Sequence, residues 1–302
     1  MKKKILITGG AGFIGSNLTK YLVKKKLKVN VLDNLSNSKK PKPDKNIKFY
    51  FGDIRNKNNL IKASKDCGII VHLAAKSALQ ETINNPDECV SNNILGTVNI
   101  IDTCIKKKIR LVFASTCAVY PFKSNKKFKE QDASNYLTPY SISKMTCENI
   151  INFYISQKKI KANILRFFNV YGKGQKPDSF YSAVVPKFIK QSKNNSNLTV
   201  YNSGNQKRDF INVIDVCEAI YKAMRYKKSN TFNIGTGVTT SIKDLANLII
   251  KENKGGRIIK AKNTKFDALF SCANMYKTNS YLKFKSKIDI RTGVKKLIKN
   301  EI

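Results

Sequence analysis

Short apolar runs alternate with longer amphipathic stretches through the first half of the chain. Runs over residues 5–8, 28–32, 47–51, 69–73, 110–114 and 163–168 predict strands, and stretches over 14–24, 57–65, 88–107 and 141–157 predict helices. Strands this short, separated by helices, predict an α/β fold with a doubly wound parallel sheet, whose ligands sit beyond the carboxyl ends of the strands. From Asn169 onward the pattern gives way to Gly, Pro and polar turns, a helix over 184–193 and short apolar patches. Within this part, a helix over 209–226 and a strand over 231–234 are predicted to return to the main sheet. The predicted organisation is a sheet domain of residues 1–168 with 209–234 and a smaller C-terminal part of residues 169–208 with 235–302.

The stretch KILITGGAGFIG breaks an apolar run with four glycines before an amphipathic helix begins. Gly10, Gly12 and Gly15 give a G-x-G-x-x-G reading, and Gly9, Gly12 and Gly15 a G-x-x-G-x-x-G reading. Either predicts a tight strand-to-helix turn that lets the backbone approach a pyrophosphate at the helix start. Asp33 follows Gly15 by 18 residues, at the end of the second strand. An acid there accepts hydrogen bonds from ribose hydroxyls and repels a 2′-phosphate, so NAD is expected rather than NADP.

Composition adds limits. The formal charge is +37, but only 7 of the 57 basic residues are arginine, and the lysines run along the whole chain. This is a composition bias rather than a dedicated nucleic-acid patch. No apolar run reaches the roughly 20 residues that span a bilayer, and MKKKILITGG enters a strand without a cleavage pattern, so a cytoplasmic chain is expected. Seven scattered cysteines without a C-x-x-C pair, and a single histidine, His72, suggest neither a zinc site nor a disulfide framework. His72 itself, at the end of an apolar strand, reads as a packed core residue.

The candidate chemistry lies in YSISK, where Tyr140 and Lys144 stand four apart at a helix start announced by Pro139. One turn of helix puts them on one face, and an ammonium beside a phenol favours the phenolate. Ser115 and Thr116 end a predicted strand and offer a hydroxyl to share a substrate proton with Tyr140. These motifs, with GDI (52–54), HLAA (72–75), Asn93-x-x-Gly96-Thr97, RFFNVYG (166–172), RDF (208–210) and NIGTG (233–237), resemble those of the extended short-chain dehydrogenase/reductases. Within them the chain is similar to the NAD-dependent epimerase/dehydratase branch that includes UDP-glucose and UDP-N-acetylglucosamine 4-epimerases.

The resemblance implies a Rossmann-type NAD-binding domain, a substrate-binding domain and a homodimer. It implies that Gly9, Gly12, Phe13 and Ile14 contact the pyrophosphate, and that Asp33 and Asn34 hold the adenosine ribose. Asp53 and Ile54 would meet the adenine, Leu73, Ala74, Ala75 and Asn93 the middle of the cofactor, and Lys144 the nicotinamide ribose. Thr116, Tyr140 and Lys144 would be catalytic. Ser115, Thr116, Asn169, Val184, Tyr201, Arg208 and Ser271 would bind the nucleotide sugar. Asn93 has the alternative of bonding neighbouring backbone only, and Asp215 that of a helix cap. Dehydratases of this family carry Asp-Glu after the active-site Thr, whereas this chain has Cys117 and Ala118. Epimerisation at carbon 4 is therefore expected, with another reductase or epimerase of the family, or a basic nucleic-acid-binding protein on the same fold, as alternatives. Ser271 stands where glucose-restricted relatives carry a bulky tyrosine, which opens room for an N-acetyl group. Thr264 replaces a usual arginine, with Lys262 or Lys265 as substitute charges, and leaves the nucleotide open.

Overall fold

The computed structural model describes residues 4–121, 125–134, 137–177, 184–261 and 268–301. Thr264, Lys262 and Lys265 lie outside the described residues. The first half runs β1 (Lys4–Thr8), α1 (Phe13–Lys24), β2 (Val29–Asp33), β3 (Ile47–Phe51), α2 (Lys57–Ala63), β4 (Cys67–His72), α3 (Leu79–Asn84), α4 (Pro86–Cys89), α5 (Gly96–Lys107), β5 (Arg110–Thr116), α6 (Pro139–Ser156) and β6 (Ala162–Phe167). The second half runs β7 (Asn169–Tyr171), α7 (Val184–Lys193), β8 (Leu198–Val200), β9 (Lys207–Arg208), β10 (Phe210–Asn212), α8 (Val213–Arg225), β11 (Asn230–Ile234), β12 (Thr240–Ser241), α9 (Ile242–Asn253), β13 (Ile258–Lys260), β14 (Phe270–Ser271), α10 (Tyr276–Leu282) and α11 (Ile290–Ile298).

Seven strands form one sheet in the order β11-β6-β5-β4-β1-β2-β3. β1 lies inside the sheet and pairs parallel with both β2 and β4. Its residues Leu6 and Ile7 are fully buried, as are Val31 and Val71 beside them. Helices cover both faces of such a sheet, which is why these strands read as unbroken apolar runs. The expected Rossmann-type parallel α/β fold is what the chain adopts.

The chain divides into two compact units. The first holds Met1–Val119, Tyr136–Arg166 and Cys217–Phe232, and the second Tyr120–Asn135, Phe167–Val216 and Asn233–Ile302. The second unit has its own apolar core, including Phe188, Leu198, Val200, Leu245, Ile249 and Val294.

Two local expectations are corrected. The predicted helix over 88–107 is interrupted by a π-helical segment, Val90–Leu95, between α4 and α5. There the extra residue per turn faces Asn92 and Asn93 inward, and Asn93 gains partners that a regular helix would deny it. The predicted helix over 209–226 starts as β10, because Phe210, Ile211 and Asn212 are all buried and pair parallel with Asn169–Tyr171. Among the described residues, no helix is long and apolar enough to cross a membrane, and no group of three metal-ligating side chains occurs.

Candidate active site

The turn after β1 shows why glycine is needed there. Gly9 has φ +68°, and a Cβ on it would lie 2.6 Å from the Ala74 nitrogen. A Cβ on Gly15 would lie 2.1 Å from the Gly9 carbonyl oxygen. The backbone of Leu73–Ala75 thus runs directly against the turn, and Leu73 N donates to the Thr8 carbonyl. Gly12 is the N-cap of α1 and offers no side chain to the first helical N–H groups, at Phe13 and Ile14. An uncapped helix start above a close-packed turn suits a pyrophosphate.

Asp33, at the end of β2, is buried and oriented by the amides of Ala11 (2.9 Å) and Leu35 (2.8 Å) and by the Ser38 hydroxyl. Asn34 donates to Asp53, so these two predicted cofactor residues are joined at 3.1 Å. Asp53 also receives the Arg55 guanidinium at 3.0 and 2.7 Å, and this neighbour holds its carboxyl below the usual range. Arg55 was not among the predicted site residues. The Ile54 side chain is committed to the core, and its carbonyl accepts from Asn99. The Asn93 amide is likewise spent inside the protein: it accepts from Lys76 N and donates to the Lys76 carbonyl and the Ser143 hydroxyl. Two of these bonds are to backbone, at Lys76, and the third is to the Ser143 side chain; together they tie the loop after β4 to the π-helical segment and α6.

The carboxyl end of β5 carries the reactive groups. Thr138 caps α6 and Pro139 opens it, so Tyr140 and Lys144 lie in its first two turns. Tyr140 is half-buried and faces the Thr116 hydroxyl. Burial pushes its phenol up, and the Thr116 hydroxyl acts against that rise. Lys144 is buried, donates to the Ala114 carbonyl at 2.8 Å and lies 4.7 Å from the centre of the Phe113 ring. Burial pushes its ammonium down. His72 behind them is the packed residue expected. Thr97 donates its only hydroxyl proton to the Asn93 carbonyl, so Nε2 of His72 carries the hydrogen toward Thr97, and Nδ1 accepts from Thr8 at 2.7 Å.

Ser115 requires a correction. The Ser115 hydroxyl is buried and donated to Glu148, while Thr116 beside it faces Tyr140 of the same helix. Glu148 in turn pairs with Arg166 at 2.6 Å. The expected substrate contact at Ser115 is thus replaced by a buried polar network.

In the second unit, Arg208 and Ser271 are register partners on β9 and β14. Between them and Asn169 sits Asp209, fully buried, whose carboxylate accepts from Thr236 N, Thr236 Oγ1, Gly237 N and Ala273 N at 2.7–3.2 Å. Asn169 donates to the Asp209 carbonyl. Asp209 was quoted in a motif but not foreseen as the residue that gathers this wall. Val184 opens α7 against the second core, and Tyr201 follows β8 with 38% of its surface exposed. The Asp215 carboxylate, in the first turn of α8, accepts from Lys287 N and Ile288 N.

A family model described as NAD dependent epimerase/dehydratase matches residues 5–235. The chain belongs to that family. As a member of the NAD dependent epimerase/dehydratase family it uses NAD, and the uncapped α1, the glycine turn and the oriented Asp33 carboxylate fit that cofactor. It is similar in structure to a Thermus thermophilus UDP-glucose 4-epimerase solved with NAD, at TM-score 0.91 and 26% identity over 99% of this chain and 98% of the other. It is equally similar to a UDP-N-acetylglucosamine 4-epimerase from Methanobrevibacter ruminantium, solved with UDP-N-acetylmuramic acid (TM-score 0.92, 28% identity, 99% of both chains). In sequence it is 35% identical over 256 residues to a UDP-N-acetyl-alpha-D-glucosaminuronate decarboxylase of Bacillus cytotoxicus, covering 82% of this chain and 79% of that one.

Proposed function

We propose that this family member interconverts the carbon-4 epimers of a nucleotide sugar, UDP-N-acetylglucosamine/galactosamine and/or UDP-glucose/galactose, with NAD retained through the cycle. The observation that carries this reading is Tyr140 and a buried Lys144 one turn apart on α6, with Thr116 facing the phenol, followed by Cys117 and Ala118 rather than an acid–base pair. Elimination of water needs an acid and a base of its own beside the sugar, and Cys117 with Ala118 supplies at most one titratable group where that pair would stand.

In this reading Tyr140 takes the proton of the sugar 4-hydroxyl, with Thr116 sharing it. The Thr116 oxygen accepts from Ala118 N, which leaves its own hydrogen to donate. NAD, when bound, supplies the hydride acceptor and a positive charge beside the phenol. Lys144 adds its ammonium on the same helix face, and the two charges oppose the upward push of burial on Tyr140. Gly9, Gly12, Phe13, Ile14, Asp33, Asn34, Asp53 and Leu73–Ala75 would hold the cofactor. Asn169, Val184, Tyr201 and Arg208 would hold the nucleotide diphosphate, the Arg208 fork matching phosphate oxygens. A second copy of the chain is the proposed partner, supported by exposed Val90, Leu95 and Val98 on one helical stretch and Ile142 and Phe153 on α6.

The test is to incubate the purified protein without added cofactor with UDP-N-acetylglucosamine and separately with UDP-glucose, and to resolve the 4-epimers chromatographically. Conversion of either pair without external NAD(P)H supports the reading; stoichiometric consumption of added NADH would instead indicate a reductase. Buried Ser271 beside Arg208 supports acceptance of an N-acetyl group. Ser271→Tyr is therefore expected to lower kcat/KM for the N-acetylated pair by about tenfold or more, the scale on which a pocket rejects a misfitting group. The glucose pair should change little, and equal loss for both pairs would contradict the gate.

A further inference from the structure

Three consecutive residues at the carboxyl end of β5 are each tied to α6. The Ala114 carbonyl accepts from Lys144, the Ser115 hydroxyl donates to Glu148, and the Thr116 hydroxyl pairs with Tyr140. Tyr140, Lys144 and Glu148 recur every four residues, so the three ties run along one face of the helix. Glu148 is 1% exposed, and Arg166 of β6 meets it through Nε at 3.0 Å and Nη2 at 2.6 Å. Burying two opposite charges is costly, and a well-packed apolar pair holds a helix on a sheet at least as firmly. An apolar pair cannot offer Ser115 an acceptor, nor place a negative charge one helical turn from Lys144.

We propose that Glu148, held by Arg166, is a positioning residue for the reaction: through Ser115 it sets the register of α6 on β5, and with it the relation of Tyr140 and Lys144 to Thr116. Its turnover readout rests on the epimerase reading above. The charge on Glu148 also supports the Lys144 ammonium, which burial opposes. The other titratable groups around Lys144 are Cys89 of α4, Cys147 of its own helix, Tyr140 and His72 of β4. Burial keeps the two thiols and the phenol protonated and His72 neutral, which leaves Glu148 as the negative charge among these described neighbours.

Charge and reach can be separated by three variants, each measured for kcat and for NAD affinity as a function of pH. Glu148→Gln keeps the shape and loses the charge. Its NAD affinity is expected to fall off on the alkaline side about one pH unit earlier than in the wild type, because Lys144 gives up its proton sooner. Ser115→Ala keeps the ion pair and loses the tie, so its alkaline limb stays in place while kcat drops about tenfold from misplacement of Tyr140. Glu148→Asp restores the charge at shorter reach, and should recover the limb but not kcat. Should Glu148→Gln not fold, the other two variants still separate positioning from mere stability. Folded variants with wild-type kcat and an unmoved limb would overturn the proposal. If the wild type itself converts no nucleotide sugar, the epimerase reading fails, and the NAD limb still decides the role of Glu148.

Discussion

Tyr140→Phe is expected to lower kcat by about 10²–10⁴-fold, the usual worth of a positioned acid–base group, while NAD stays bound. The substitution removes one oxygen and leaves the ring in place. No other group can take over the proton. His72 is the nearest base by chemistry, but it is buried and its two ring nitrogens are occupied by Thr8 and Thr97. Lys144 is turned to the Ala114 carbonyl, and Thr116 has no basicity of its own at neutral pH. Steady-state epimer conversion and the amount of cofactor released on denaturation would be measured together. Turnover above about a tenth of wild type would remove Tyr140 from the role of base, and loss of NAD would show that the residue acts by holding the cofactor.

The second large effect is on stability. His72 is the only histidine of the chain, and burial together with the nearby Lys144 charge pushes it down to about 3 from an ordinary 6.5. The unfolded chain therefore takes up a proton near pH 6.5 that the folded chain refuses until about pH 3. Between those values the unfolded state binds more protons, so stability rises with pH, at about 1.4 kcal/mol per unit. From pH 7.5 to 5 the folded protein is expected to lose about 2 kcal/mol through this residue alone. Denaturant titrations at both pH values, for wild type and for His72→Gln, isolate it, because every other titrating group cancels in the difference. Equal pH dependence in the two proteins would show that His72 accepts a proton without unfolding.

The βαβ half of the fold was legible because its information is local. The strands over 69–73 and 110–114 are apolar runs between helices, and such runs are readable wherever both faces of a sheet are covered. The π-helical segment at Val90–Leu95 was not legible, since the bonds its Asn93 makes go to Lys76 and Ser143, 17 and 50 residues away. β10 was hidden in a helix-like pattern until its partner β7 made three consecutive buried residues possible. At the site, the pair Tyr140 and Lys144 follows from helix periodicity. That Ser115 donates to Glu148 was not legible, because Glu148 stands 33 residues further on and is itself held by Arg166, 18 residues beyond it on another element. Asp209 was missed for the same reason, because its four donors come from 27 to 64 residues further along.

That last separation sets an order of assembly. The glycine turn closes among residues 9–15, at small loop-closure cost and before Arg208 is made. The wall carrying Arg208 and Ser271 is bolted by a single carboxylate that cannot complete its shell until Ala273 has left the ribosome. A chain halted before Ala273 would own the glycine turn and lack one of the four donors to Asp209, so the turn is complete before the wall of Arg208 and Ser271 is fastened.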